Sequence, residues 1–511
     1  MTTELISRPA VRPAARHGRL ARLGAVPVVA ISAVSVVAVR LLFIGQPASP
    51  DEAGFLVVGS QWHVGGTSLY GNYWVDRPPL LIGIFRLADA LGGLPALRVL
   101  GALAAAATVV LLASTAARAF GPRARGWTAV VAAALLVSPL VGAQAVNGEL
   151  LAAPFIALGL RLAVEAVHAD DPVASRAAAL GTGVAAVLAL LVKQNMVDVV
   201  VFATVCWLVA WRTRRVTGRS CRDLFALAVT GGVLGYAVVM LWAMAHGTSP
   251  LGVYEATYPF RVKAGHVLAA IPGDSADIRL SHLLLSALLT GGPLILLAFL
   301  ATARRTRQAP VVWAIVACGI YAGASIFAGG SYWLHYLVEA VPVVALAAGA
   351  VAVSVTPVIR VLAPVVAASA VVAAVVSLTH PAPAPGNTVG RALAASAQPG
   401  DTVLSAFGDA DIPRTAGMSS PYPYLWSLPS RTLDPNMALL RNILAGPEAP
   451  TWIVVRGSHT TNRLADAGVQ PMIQGRYRMI ATVCGRQVYL LRDVTRPALD
   501  TGGRCGGTVI P

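Results

Sequence analysis

Two early stretches carry the residue types best suited to chemistry, Asp51-Glu52 and Asp76-Arg77-Pro78-Pro79. A carboxylate held against a hydroxyl can take its proton as that oxygen attacks. An arginine fork matches the oxygens of a phosphate, and rigid prolines would hold it in place. Plainer readings stand beside these. Asp51-Glu52 also fits a solvated helix end, and Asp-Arg-Pro-Pro also fits a turn, since paired prolines force extended backbone. Later candidates are Asn147 and Glu149, then Lys193, Gln194 and Asn195. Arg261 and Lys263 follow beside Tyr254 and Tyr258, and His335 lies between Tyr332 and Tyr336. Lys193 ends an apolar run, so it either snorkels to an interface or meets a phosphate. Arg261 and Lys263 read as a basic-aromatic loop facing lipid headgroups or a ligand, and His335 also suits an aromatic belt.

The elements that position these residues are set by composition. The chain has 511 residues, 56% hydrophobic and only 12% charged, with a mean hydropathy of +0.69. Soluble proteins carry about 25% charged residues. Apolar runs recur near the length of about 20 residues that spans a bilayer core as a helix. The alternating segments of about 10 residues that build a membrane barrel are not seen. The sequence is that of a mainly α, polytopic membrane protein. Its net charge of +16 comes largely from arginines at helix ends, which argues against nucleic acid as a partner. The only lysines are Lys193 and Lys263.

About eleven spanning helices are expected, at 25–44, 95–117, 126–142, 150–167, 176–192, 196–211, 222–245, 281–302, 310–328, 334–355 and 362–379. Residues 1–24 form a basic tail leading into a signal-anchor helix. Between the first two spans lies a large loop, 45–94. In it, 53–64 is expected to lie as a short helix along the interface, and 78–91 to re-enter the membrane or form a surface helix. With the N-terminus inside, the short inside segments hold 18 Lys and Arg and the outside loops 6. That is the cytoplasmic bias of the positive-inside rule. It places every candidate residue above on the outer face, with charges gathered at one face rather than at mid-span.

Residues 380–511 change character. Pro381, Pro383 and Pro385 read as a stiff linker. Beyond them, strands are expected at Thr402–Phe407, Trp452–Arg456, Met479–Val483 and Gln487–Leu491, with a helix at 436–445. These make a small extracytoplasmic α/β domain. Cys484 and Cys505 fall in it, where a disulfide can persist. The spans and inner face hold Cys206, Cys221 and Cys318.

No Walker motif, Gly-x-Ser-x-Gly or His-Glu-x-x-His is present, so nucleotide hydrolysis and the common hydrolase mechanisms lack support. A transporter or flippase would show internal repeats and charges along a route through the bilayer, and neither is seen. A membrane scaffold presenting the C-terminal domain is a third reading.

The pattern resembles the GT-C glycosyltransferases that use polyprenyl-phosphate sugars, with branches such as the protein O-mannosyltransferases and aminoarabinose transferases. The matching residues are Pro50-Asp51-Glu52-Ala53, Tyr70 to Leu81 ending in Asp-Arg-Pro-Pro-Leu-Leu, Asn147-Gly148-Glu149, Lys193, and Tyr332 to Pro342. Together they span roughly residues 25–355. The resemblance implies an inverting sugar transfer to an acceptor hydroxyl on a glycan, lipid or protein. It implies Asp51 as catalytic base, Glu52 as its support, and Glu149 in the site where relatives often carry Asp. Arg77 stands where relatives often carry Lys before Pro-Pro. Arg77, Lys193, Arg261, Lys263, Tyr332 and His335 would then meet the donor phosphate. Metal use varies within the family, and Asp51 and Glu149 are the residues that would contribute to a divalent-metal site.

Overall fold

The computed structural model describes residues 15–269, 274–303, 309–500, 502 and 505. Residues 1–14 of the basic tail lie outside this set, as do Arg304, Arg305 and Arg307 of the expected inside loop. Every expected apolar run is helical. In chain order the helices are α1 (Ala15–Leu41), α2 (Pro50–Ser60), α3 (Pro79–Ala90), α4 (Leu94–Phe120), α5 (Pro122–Val137) and α6 (Gly148–His168). Then come α7 (Pro172–Val192), α8 (Asp198–Arg212), α9 (Gly218–Ala245), α10 (Pro250–Thr257) and α11 (Pro259–Ala269). The membrane-type helices end with α12 (Asp274–Leu289), α13 (Gly292–Thr302), α14 (Ala309–Ala328), α15 (Val341–Ser354) and α16 (Thr356–Thr379).

Seven elements among the described residues are long and apolar enough to cross a bilayer: α4, α6, α7, α9, α14, α16, and the segment Leu334–Ser354 that contains α15. The chain is a multi-pass membrane protein. The run expected as one helix at 281–302 is broken: α12 and α13 bend by 62° at Thr290-Gly291. There Gly291 adopts φ +72, a conformation glycine takes without steric cost. Three expected spans are shorter than a full crossing: the apolar part of α1, Pro27–Leu41, α5 with 16 residues, and α8 with 15.

The first loop holds two helices that together position Asp51 and Arg77. α2 begins at a capping box. The Ser49 side chain accepts from the Glu52 backbone N–H, and the Glu52 side chain accepts from that of Ser49. This reciprocal arrangement satisfies two otherwise orphaned helix-end donors, and Pro50 follows at the first helical position as its fixed φ favours. The expected interfacial placement is overturned. Residues Glu52 through Gly59 are buried, because the helix lies beneath the C-terminal domain instead of along a lipid surface. α3 starts directly after Pro78 and buries Leu81, Ile82, Phe85 and Ala88 on one face, the spacing of an amphipathic helix.

The region expected as a loop around Arg261 and Lys263 is instead the helical pair α10–α11. Each starts on a proline, Pro250 and Pro259, and each buries apolar residues, Val253 and Ala256 on one and Phe260 and Ala264 on the other.

The C-terminal domain contains all four expected strands: β1 (Val403–Ala406), β2 (Trp452–Arg456), β3 (Tyr477–Val483) and β4 (Arg486–Leu491). They form one sheet in the order β1-β2-β4-β3. β1 runs parallel to β2, and β4 is antiparallel to both β2 and β3. Its helices are α17 (Pro385–Ser396), α18 (Asp411–Ala416), α19 (Ser427–Leu433), α20 (Ala438–Ala445), α21 (Gly457–Asp466) and α22 (Val469–Arg476). α20 matches the helix expected at 436–445. The proline linker is shorter than expected, because Pro385 opens α17 rather than ending an extended run. Cys484 and Cys505 form a disulfide.

Glu52 is fully buried and paired with Arg98 of α4 at 3.1 Å. Arg98 also donates to the carbonyls of Phe43, Ile44, Gln46 and Pro47. Glu52 Oε1 accepts from the Val146 backbone N–H at 3.0 Å. Removing one member of a buried ion pair strands the other charge. Arg98→Met should therefore destabilise the protein by roughly 3–5 kcal/mol, read as a lowered unfolding temperature in detergent. Adding Glu52→Gln, which removes the stranded charge, should recover part of that loss. A double variant no more stable than Arg98→Met would refute the pairing argument.

Candidate functional site

Three helix ends bring the candidate charges to one face. Asp51 lies in the first turn of α2, and Glu149 in the first turn of α6, where Asn147 caps by accepting from the Leu150 N–H at 2.9 Å. Lys193 is the C-cap residue of α7. Carboxylates at helix N-termini and a cation at a C-terminus each sit where the helix dipole favours them.

The buried Glu149 and Lys193 side chains form an ion pair. The Lys193 ammonium also lies 4.6 Å from the centroid of the Tyr336 ring. His335 Nε2 is 3.8 Å from Glu149 Oε1. This approach depends on Gly142. A Cβ there would stand 2.8 Å from the His335 backbone nitrogen, and Gly142 adopts φ +65.

Asp76 joins two guanidinium groups. Its Oδ1 is 2.9 Å from Arg77 Nη1, and its Oδ2 is 2.6 Å from Arg261 Nη2. The backbone of the Asp76-Arg77 pair is held from both sides. Tyr70 Oη donates to the Arg77 carbonyl at 2.6 Å, and Gln194 Nε2 donates to the Asp76 carbonyl at 3.2 Å. Burial acts to raise the Asp76 carboxyl, but the Arg261 and Arg77 charges outweigh it and hold it below its ordinary value. Burial acts to lower Arg77, and the negative charges of Asp76 and Asp51, with Tyr336 and Glu149, overcome that and raise it. Arg261 falls below its ordinary value, chiefly through burial. Arg77 is thus within electrostatic reach of Asp51, Asp76 and Glu149 together.

Asp51 is half-buried, and its Oδ1 accepts a 2.9 Å hydrogen bond from Trp426 Nε1. Its Oδ2 has no hydrogen bond among the described residues. Asp51 also lies within electrostatic reach of His335. Two buried donors of the site, Asn147 Nδ2 and Arg261 Nε, have no acceptor among the described residues.

The structure therefore brings together Asp51, Arg77, Glu149, Lys193, Arg261 and His335. Three expected members stand differently. Glu52 faces away from this cluster, with both oxygens taken by Arg98 and backbone N–H groups. It holds α2 in place instead of reaching the site. Lys263 is exposed on α11, without a hydrogen bond or ion pair among the described residues. Tyr332 is half-buried at φ +54 and packs against the apolar core. The Asp51–Glu149 pairing considered for a divalent metal lacks company: among the described residues, no three His, Cys, Asp or Glu side chains group as a metal site.

Asp76, Tyr336 and Trp426 were given no role by the sequence. Asp76 was visible beside Arg77, but its link to Arg261 spans two separate segments. Trp426 is 375 residues from Asp51, and no local pattern marks it.

No protein-family model matches this sequence, and no curated protein does either. Solved structures do. ArnT from Cupriavidus metallidurans, bound to undecaprenyl phosphate, is similar over 91% of this chain and 97% of its own, with a TM-score of 0.60 and 17% identity. An oligosaccharyltransferase from Archaeoglobus fulgidus, in complex with Zn and sulfate, is similar over 91% of this chain and 73% of its own, with a TM-score of 0.55 and 12% identity. Shared backbone over nine-tenths of the chain, membrane helices and C-terminal domain included, shows that this protein has the GT-C fold.

Proposed function

We propose that the protein is a membrane glycosyltransferase that moves a sugar from a polyprenyl-phosphate donor to an acceptor hydroxyl. The observation that carries this reading is the convergence of a half-buried carboxylate, Asp51, with the half-buried Arg77, the buried Lys193 and Arg261 on one face of a GT-C fold. A similar structure contains undecaprenyl phosphate, which supports a lipid-linked donor.

The chemistry follows from the groups present. The donor phosphate lies among Arg77, Arg261 and Lys193, and the unpaired donors Arg261 Nε and Asn147 Nδ2 suit its oxygens. Asp51 Oδ2 takes the proton of an acceptor hydroxyl. The acceptor oxygen bonds to the anomeric carbon as the bond from that carbon to the phosphate oxygen breaks. The polyprenyl phosphate leaves with the electron pair, and the cations stabilise the charge that develops on it. A single in-line displacement inverts the anomeric carbon. Glu149 holds Lys193 in position, and Asp76 holds the two arginines. The site lies on the face that carries the C-terminal domain, and the positive-inside count makes that face extracytoplasmic.

The test is a transfer assay in membranes with defined polyprenyl-phosphate sugars. Asp51→Asn should lower the rate by roughly 10²- to 10⁴-fold, the usual contribution of a general base, with expression unchanged. Transfer at the wild-type rate would remove Asp51 from this role. Failure of the wild-type protein to use any such donor would sink the donor assignment.

Arg261 carries a separate prediction. Its side chain is 36% exposed, so Arg261→Gln should fold. Losing a charge-assisted phosphate contact should raise the donor KM by about tenfold. An unchanged donor KM would take Arg261 out of the phosphate site.

A further inference from the structure

The C-terminal domain reaches Asp51 through the segment Ser419–Trp426, which lies across the first loop of the membrane domain. Three hydrogen bonds fasten it. The Ser420 backbone N–H donates to Tyr73 Oη at 2.8 Å, the Trp74 backbone N–H donates to the Pro423 carbonyl at 3.1 Å, and Trp426 Nε1 donates to Asp51 Oδ1 at 2.9 Å. Ring contacts back them. Trp74 meets Tyr424 at 6.2 Å between centroids, and Phe55 meets Trp426 at 5.1 Å.

The fit of Trp426 over α2 is tight. A Cβ added at Gly54 would lie 2.4 Å from Trp426 Cζ2 and 3.0 Å from the Ala410 Cβ. Gly54 therefore lets the indole lie down on the helix, which brings its N–H to the carboxylate one turn earlier. A half-buried carboxylate with one oxygen fixed by a donor keeps its second oxygen in a defined direction. The remaining charged groups that bear on Asp51 come from other elements, Arg77 before α3 and His335 before α15. Neither has a hydrogen bond to it in the described structure. Trp426 is the one hydrogen-bond donor seen at the Asp51 side chain among the described residues.

We propose that Trp426 is a positioning residue for Asp51: the C-terminal domain supplies the donor that orients the carboxylate, so sugar transfer depends on how that domain is docked. This inference rests on Asp51 being the base. Trp426 touches neither donor nor acceptor in this account and acts only through Asp51 Oδ1. The domain then contributes to the chemistry even though no catalytic motif lies within it.

The experiment uses the full-length protein in membranes and separates kcat from KM. Trp426→Phe keeps an aromatic ring against Phe55 and removes the N–H. It should lower kcat by roughly tenfold to a hundredfold, the range for losing a hydrogen bond to a charged group, with the donor KM unchanged. Gly54→Ala is the second arm. It keeps the tryptophan but forces the ring off α2, and it should lower kcat in the same way. The unfolding temperature is measured for both, so that a fall in kcat caused by lost folding is recognised. If either folded variant keeps the wild-type kcat, the inference is overturned. If Asp51→Asn itself transfers sugar at the wild-type rate, the base assignment fails instead. Loss of transfer in Asp51→Asn with normal kcat in Trp426→Phe leaves the base assignment standing and removes Trp426 alone.

Discussion

The buried pair between Glu52 and Arg98 is the constraint from which the site is built. A carboxylate with no exposed surface must find its hydrogen bonds inside the protein. Glu52 finds them in Arg98, in the Ser49 N–H and in the Val146 N–H. Arg98 in turn gathers four carbonyls from the turn that follows α1. One ionic contact thus fixes the end of α1, the start of α2, the second turn of α4 and the approach to α6. Successive residues of a helix point about 100° apart. With Glu52 locked into the core, its neighbour Asp51 is directed to a different face, toward the cations.

The cluster on that face is a set of helix ends. Charges are tolerated at such depth only when paired or lining a polar site. Three carboxylates, Asp51, Asp76 and Glu149, stand with three cations, Arg77, Arg261 and Lys193, so the charges of the cluster balance although Asp76 takes both arginines. Asp76 is central to the match, because a single carboxylate draws together guanidinium groups from the first loop and from α11. The resemblance read from the sequence implies the same phosphate-binding role for both arginines. The carboxylate between them supplies the physical means by which they meet.

Much of this architecture was legible in advance. Every run of spanning length is helical, because a backbone in hydrocarbon must satisfy its own hydrogen bonds. The strands of the C-terminal domain were visible as short apolar runs between turn residues, and α20 as a helix between two of them. The helices α10 and α11 were missed. Their apolar residues are few and interrupted by charge, so the periodicity is weak. The capping signature Ser49-Pro50-Asp51-Glu52 was present in the chain and gives the start of α2 directly. What sequence could not show was which side of α2 would be covered, and Glu52 was therefore grouped with Asp51 as site chemistry.

By itself, the sequence determined the membrane class, the helical runs, the α/β character of the last 130 or so residues, and the residue types able to bind phosphate or take a proton. Those follow from composition and local periodicity, which need no knowledge of distant contacts. Only the tertiary structure decided which of these residues meet. It turned Glu52 inward to Arg98, left Lys263 on the surface, joined Arg77 to Arg261 through Asp76, and brought Trp426 across 375 positions to Asp51. Such contacts arise because buried polar groups must be paired, and the partner that packing brings within reach carries no mark in its own neighbourhood of the chain.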